Sequence, residues 1–329
     1  MSDVARLARV STQTVSRVSM GADNVRPATR EKVLRAMDQL GYSPNRAAQA
    51  LRRGTFNTIG VLTQQIHRTG EALTTAGVLE AATAARYTVS LVQVEHPESE
   101  DMREAVHRLS HQTIDGLVVV QAGRAGLRHL ALPPSLPVAV SDSALVDYYP
   151  SASADQAGGV RDAVGHLLSL GHRTVHHVTG PEGSQSALIR KATWATCLRE
   201  AGAPVPEPVP GDWQAAAGYE AGLRLAADPD VTAVFCGNDE LALSLIRAMH
   251  EQGRRVPQDV SVVGFDGLDL GEFSFPQLTT VRQDFTRHGR EMVGLVLEQV
   301  ASGLMDGSRS IVVPTELVLR GSTAPPPPR

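Results

Sequence analysis

Residues 3–40 carry three short runs in which apolar side chains recur at helical spacing, and this pattern leaves the N-terminal segment few ways to fold. Asp3–Arg9 and Thr12–Val18 flank a tight break capped by Ser11, and Ser2 stands as a cap for the first run. Thr29–Leu40 follows a loop holding Gly21, Asp23, Asn24 and Pro27. Ala5, Leu7 and Ala8, then Val15 and Val18, then Val33, Leu34, Met37 and Leu40 suffice to close a small three-helix core. The second helix keeps Thr12, Gln13, Ser16 and Arg17 on its polar face, side chains suited to phosphates and base edges. The segment therefore reads as a helix-turn-helix whose recognition helix starts near Ser11.

Charge points the same way. Residues 1–53 hold ten Lys/Arg against four acids, a net of +6, while the whole chain is −4. A basic head on an acidic body is the electrostatic layout of a DNA binder with a separate sensing domain. Residues 44–54 (PNRAAQALRRG) extend the basic head. Pro44 stops the preceding element, Asn45 caps a short helix through Gln49–Arg53, and Gly54 ends it. Such a helix is marginal alone because nucleation is costly. Ala48 and Leu51 supply its apolar spacing, and Arg52 and Arg53 are placed for phosphates.

From Asn57 onward, apolar runs alternate with helical stretches. The runs are TIGVLT (58–63), TVSLVQV (88–94), GLVVV (116–120), LPVAVS (136–141), TVHHVT (174–179), TAVFC (232–236) and VSVVGF (260–265). The helical stretches are 71–85, 101–111, 155–170, 184–201, 214–227 and 239–252. Continuous apolar strands with helical crossovers predict parallel sheets covered on both faces. The strands are too many for one compact sheet, and a crossing near residue 152 divides them into two doubly wound lobes. In such folds ligands sit beyond the carboxyl ends of the strands, here in the cleft between lobes.

Polar residues that follow strands are therefore candidates for the cleft. Gln64 follows the first strand, Asp142 the fourth, Asn238 and Asp239 follow TAVFCG, and Asp266 follows VSVVGF. Ser186 and Arg190 stand four apart, on one helix face. Trp213 lies in GDW, and Gln283 and Phe285 in RQDF. Carboxylates, amides, a guanidinium and an aromatic ring suit a polyhydroxylated ligand. Carboxylates and amides pair with vicinal hydroxyls, Arg donates a fork, and Trp covers an apolar sugar face. Asp266 and Asn238 also read as helix or turn caps, Trp213 and Phe285 as core aromatics, and one of His176 and His177 as a buried structural histidine.

The motifs DVAxxAxVS, TVSRV, TREKV and LGYxPNxxAxxL, followed by VTGP, GDW, SVVGFD and LTTVRQDF, resemble the LacI/GalR family of bacterial transcription regulators over essentially the whole chain. The resemblance implies an all-α helix-turn-helix headpiece (1–43), a hinge helix and linker (44–56), and a periplasmic-binding-protein-like α/β core. In that core, 57–153 with 283–312 form the N-terminal lobe and 154–282 with 313–322 the C-terminal lobe, before a disordered tail (323–329). It further implies that Leu51 wedges into the minor groove, where unstacking is exchanged for a bent site. Asp142, Ser186, Arg190, Trp213, Asn238, Asp266, Gln283 and Phe285 fall on the family's inducer positions. Three departures stand out. Arg9 occupies a position usually held by Gly, Ser19 and Met20 replace the usual Leu/Val-Asn pair, and HRTGEALT (67–74) and Ala154 alter the pocket.

The expected function is a repressor that binds a pseudo-palindromic operator as a homodimer. Gln13 and Arg17, with Thr12, read bases, Thr14, Ser16 and Asn24 hold phosphates, and Asn45, Ala48, Leu51 and Arg52 enter the hinge site. A small sugar or glycoside lowers operator affinity. The alternatives are a corepressor-dependent regulator responding to a purine or phosphorylated metabolite and, more remotely, a glycoside-acting enzyme through Asp142 and Asp266. An enzyme is disfavoured because GxSxG, GxxxxGK[ST] and a strand-to-helix GxGxxG are all missing. No cofactor is expected, and no metal, since the eleven His include no HExxH. Aromatics at 4% argue against a base-stacking surface. Cys197 and Cys236 read as buried thiols in a reducing compartment. With no apolar run of membrane length and no signal peptide, a cytoplasmic, nucleoid-associated location follows. A heptad tail is lacking after the last strands, which favours a dimer over a tetramer.

Overall fold

The computed structural model describes residues 1–20, 22, 24–42, 55–94, 100–111, 114–120, 132–141, 145, 146, 148–304, 307 and 309–328. Two compact units divide the chain, Met1–Asn57 and Thr58–Arg329. The expected hinge helix, with Asn45, Ala48, Leu51 and Arg52, lies outside the described residues, as does Asp142. No described helix is long and apolar enough to cross a membrane. Among the described residues no group of three or more His, Cys, Asp or Glu gathers as metal ligands.

The first unit holds helices α1 (Ser2–Ala8), α2 (Thr12–Ser19) and α3 (Pro27–Gln39). Ser11 caps α2 by accepting the Thr14 N–H at 3.1 Å. Helix α3 starts two residues earlier than its apolar spacing suggests, because Pro27 occupies its first turn, where a missing N–H costs nothing. Ser2 does not cap α1. It is the first helical residue, and Met1 stands at the cap position without a side-chain bond. The core is Val4, Ala5, Ala8, Val15, Val18, Val33, Ala36 and Met37. Leu7, Leu34 and Leu40, expected inside, are about half exposed. Three short helices close on their narrowest stripes, and Val4 and Ala36 fill the space those leucines would overpack.

Arg9 ends α1 in the left-handed region, φ 54° and ψ 48°, where a Cβ is penalised. Arg9→Gly is therefore expected to stabilise the headpiece by about 0.5–1 kcal/mol, the relief being partly offset by glycine's freedom in the unfolded chain. Hydrogen exchange of peptides spanning 12–37 in the intact protein should slow by roughly two- to fivefold. Unchanged or faster exchange would show that Arg9 carries no strain.

The second unit builds two sheets. The N-terminal lobe contains β1 (Thr58–Thr63), β2 (Thr88–Gln93), β3 (Gly116–Val119), β4 (Val138–Val140), β5 (Ser151–Ala154) and β10 (Ser310–Val313). Their order is β10-β5-β4-β3-β1-β2, and every pairing is parallel. Helices α4 (Thr69–Ala84), α5 (Glu100–His111) and α10 (Phe285–Ser302) belong to this lobe. Helices α4 and α10 approach closely enough that a Cβ at Gly289 would lie 2.5 Å from the Val78 nitrogen.

The C-terminal lobe contains β6 (His176–Val178), β7 (Ala233–Cys236), β8 (Ser261–Asp266), β9 (Thr279–Arg282) and β11 (Glu316–Val318). Helices α6 (Gln156–Ser169), α7 (Gln185–Glu200), α8 (Ala215–Ala226) and α9 (Asp239–Glu251) belong to it. The order is β11-β9-β8-β7-β6. One strand departs from the all-parallel expectation, since β11 pairs antiparallel with β9. Strand β9 leaves this lobe at its carboxyl end, and β11 enters at the same junction two residues after β10, so the two run in opposite directions. Strands β5, β9, β10 and β11 carried no separate apolar signal. Nor does the chain fray from residue 323. His166 Nε2 bonds the Thr323 hydroxyl at 3.0 Å, and the Ala324 N–H donates to Ser261 Oγ at 2.9 Å. Cys236 is buried, whereas Cys197 is only half-buried.

Candidate functional site

The parallel strands of both sheets end at the cleft between the lobes, and several helices start there with their first N–H groups capped. Asp155 caps α6, Ser184 caps α7, Asn238 caps α9 and Asp284 caps α10. Buried N–H groups at a helix start need such partners, which is why the polar residues of this chain concentrate at these ends. The expected bounds 155–170 and 184–201 each ran one residue past the helix at both ends because they counted the caps.

Between the lobes lies a partly enclosed cavity. Ser186, Arg190, Trp213, Asn238, Asp266, Gln283 and Phe285 all line it, together with Arg68, Thr69, Gly70, Glu71, Thr74, Val120, Gln156 and Glu240. Four of these side chains close a ring. Arg190 Nε donates to Gln156 Oε1 at 2.7 Å, Gln156 Nε2 to Gln283 Oε1 at 3.2 Å, and Gln283 Nε2 to Asp266 Oδ1 at 2.7 Å. An Arg190 Nη2 to Asp266 Oδ1 ion pair at 3.6 Å completes it. Arg190 also donates to the Gly237 carbonyl and stacks over Phe265, 3.7 Å from the ring centroid. Each member is thereby fixed before any ligand arrives.

Two lining residues hold backbone conformations that L-residues rarely adopt, Trp213 at φ 74° and Asp266 at φ 115°. Strain of this kind persists only where the surroundings over-determine it. For Trp213 the surroundings are visible. Gly180 and Gly237 make room for the indole, since a Cβ at either would fall 2.1 or 2.8 Å from its ring. Asn238 Nδ2 donates to the Trp213 carbonyl at 3.1 Å, and its Oδ1 caps α9 at the Leu241 N–H. Asn238 is thus both cap and strap, with one N–H and one lone pair left for a ligand.

Behind Asp266 sits Asp239, fully buried, accepting from the Thr280 hydroxyl at 2.5 Å and the Leu268 N–H at 2.6 Å. Burial, and then the neighbouring Asp266, push its carboxyl up to about 7. His177 is the structural histidine of its pair: Nδ1 bonds the Phe235 carbonyl at 2.9 Å, and burial pushes the ring down to about 4.

Gln64 does not line this cavity. The loop after β1 is drawn onto the buried Glu71, whose Oε2 accepts from the Thr63 hydroxyl and from the N–H groups of Gln64 and Gln65. The residues that line the wall there are Arg68, Thr69 and Glu71, within the stretch 67–74 whose departure from the family pattern was expected to alter the pocket. Gln156 and Glu240 were passed over. Gln156 stands two residues past β5, and Glu240 one residue past Asp239, so the strand-end rule could have found both.

In the first unit, Thr12, Gln13, Arg17 and Asn24 are exposed, and Thr14 and Ser16 are half-buried. Thr14 Oγ1 lies 3.0 Å from Ser11 Oγ. One face of α2 therefore offers hydroxyl, amide and guanidinium groups to solvent.

Residues 1–45 match the description of bacterial regulatory proteins of the lacI family, and residues 164–323 match the periplasmic binding protein-like domain. The lactose operon repressor of Escherichia coli (strain K12) is 35% identical, with 98% of this chain and 90% of that protein covered. The Lac repressor dimer bound to operator and the anti-inducer ONPF superposes with a TM-score of 0.88 at 33% identity, over 98% of each chain. The complex of the transcriptional regulator CelR with cellobiose gives a TM-score of 0.74 at 29% identity, over 97% of this chain and 98% of that one. The chain belongs to the LacI family of bacterial regulatory proteins, as a transcriptional repressor with an effector-binding core.

Proposed function

We propose that this repressor binds its operator as a homodimer and releases it when a neutral sugar or glycoside fills the cleft. The observation that carries the reading is the closed ring of Arg190, Gln156, Gln283 and Asp266 beside Trp213. It offers fixed donors and acceptors to vicinal hydroxyls and an aromatic ring to an apolar sugar face. The charge balance also favours a neutral ligand. Glu71, Glu240 and Asp266 face only Arg68 and Arg190 in the lining, and Arg190 already serves Asp266. A phosphorylated metabolite would meet more carboxylate than free guanidinium. Two relatives support this reading, since one binds operator and the anti-inducer ONPF and another binds cellobiose.

On DNA, Gln13 and Arg17, helped by Thr12, read base edges in the major groove, and Thr14, Ser16 and Asn24 hold phosphates. The homodimer is supported by the dimeric relative and by an exposed apolar run on the C-terminal lobe. Phe273 and Phe275 are 81% and 91% exposed, with Leu270 beside them in sequence. Exposed aromatics so closely spaced mark an interaction surface.

Operator binding by fluorescence anisotropy at fixed salt, on a selected palindromic site with a panel of sugars, tests the reading. A neutral sugar should weaken binding roughly 5- to 150-fold, the usual range of allosteric coupling. A purine or phosphorylated metabolite that tightens binding, with every sugar inert, would make the core a corepressor sensor instead.

A further inference from the structure

We propose that Thr69 and Glu240 form a clasp across the mouth of the cleft that holds the two lobes closed before any ligand binds. Thr69 opens α4 of the N-terminal lobe, and its hydroxyl donates to Glu240 Oε1, in the first turn of α9 of the C-terminal lobe. The neighbouring Arg68 reaches the same way. Its guanidinium lies 3.9 Å from Glu71 on its own helix and also feels Asp212 of the other lobe. Burial lowers the Arg68 pKa, while both carboxylates favour its charge.

Both ends of the clasp are held firmly. On the N-terminal side, Glu71 gathers Thr63, Gln64 and Gln65, which fixes the turn leading into Thr69. On the C-terminal side, Asn238 caps α9 two residues before Glu240 and holds the Trp213 carbonyl. A hydroxyl-to-carboxylate bond between two rigid supports resists separation, and charge-assisted bonds are the stronger kind. Thr69 and Glu240 also line the ligand cavity. On the sugar-binding reading above, an effector hydroxyl donating to Glu240 competes with Thr69 and loosens the clasp as it binds. The clasp itself requires no ligand, so it stands or falls apart from that reading.

The test is the interlobe distance in the intact, unliganded protein. Nitroxides on Thr83→Cys (α4) and Gln252→Cys (after α9), in a Cys197→Ser background, report it by double electron–electron resonance, with labelled chains diluted among unlabelled ones. A single narrow distance is expected for the parent. Thr69→Val and Glu240→Ala should broaden it and lengthen it by several ångströms. Thr69→Ser and Glu240→Gln, which keep the donor and the acceptor, should stay narrow and serve as folded controls. Unchanged distributions in Thr69→Val and Glu240→Ala would overturn the clasp. So would opening in Thr69→Ser to the extent seen in Thr69→Val.

Discussion

Arg190→Ala is expected to cost the C-terminal lobe about 3–5 kcal/mol, the penalty for breaking a buried ion pair from one side. Its side chain is 5% exposed and that of Asp266 10%, so the carboxylate left behind has little water to turn to. Two acceptors, Gln156 Oε1 and the Gly237 carbonyl, lose their donor in the same step, and the Phe265 ring loses its stacked cation. Arg190→Lys should recover only part of this, because one ammonium cannot reproduce a planar fork directed at three partners. Both tryptophans, Trp194 and Trp213, lie in this lobe, so urea unfolding followed by intrinsic fluorescence reads it directly. Removing the pair together, as Arg190→Met with Asp266→Leu, should restore stability relative to Arg190→Ala, since neither charge is stranded. A loss below about 1 kcal/mol in the single variant would mean that water or a neighbour readily replaces the guanidinium. The effector response should vanish in Arg190→Ala, because the ring that presents Asp266 and Gln283 no longer closes.

The site shows where reading a sequence succeeds and where it stops. Asp266 and Asn238 were visible because their strands are continuous apolar runs, and a polar residue directly after such a run must lie at the sheet's carboxyl edge. Gln156 occupies the same kind of place but was hidden, because its strand is SASA, without a β-branched or large apolar side chain. Gln64 shows the converse limit. The strand-end rule places the residue in the loop but does not say which way the loop folds, and Glu71 decides that by drawing three donors onto one oxygen. Helical spacing likewise locates a stripe but not its width, so Leu7, Leu34 and Leu40 were counted inside a core that closes on Val4 and Ala36. Thr69 and Glu240 belong to different lobes, and nothing local in either helix announces the other.

Asp239→Asn is expected to remove a pH dependence that the parent core carries. The Asp239 carboxyl, pushed up to about 7 mainly by burial, has an ordinary value of 3.8 once the chain unfolds. Below about pH 4 both states hold the proton, and its contribution to stability is fully present. Between pH 4 and 7 the unfolded chain ionises while the folded core still binds the proton, so stability falls as pH rises, by up to about 1.4 kcal/mol per unit. Above pH 7 both states are ionised and the slope ends. His177 opposes this within the same window. Its pKa is lowered to about 4, so its contribution is complete above pH 6.5 and is lost as pH falls. The slope must therefore be read as the difference between parent and variant. Asn mimics the protonated acid, its carbonyl accepting the Leu268 N–H and its amide donating to the Thr280 hydroxyl, where the carboxylate now accepts from both. Relative to Asp239→Asn, the parent should lose about 2–3 kcal/mol between pH 5 and 7 in urea-unfolding series. A constant difference across that range would mean that the two N–H and O–H donors, rather than burial beside Asp266, govern the group. If the slope appears, the floor beneath Asp266 is uncharged in mildly acidic solution and gains a second negative charge as pH rises through 7. The cleft's preference for a neutral ligand over an anion should then sharpen over the same interval, because that charge repels the anion and leaves the neutral sugar indifferent.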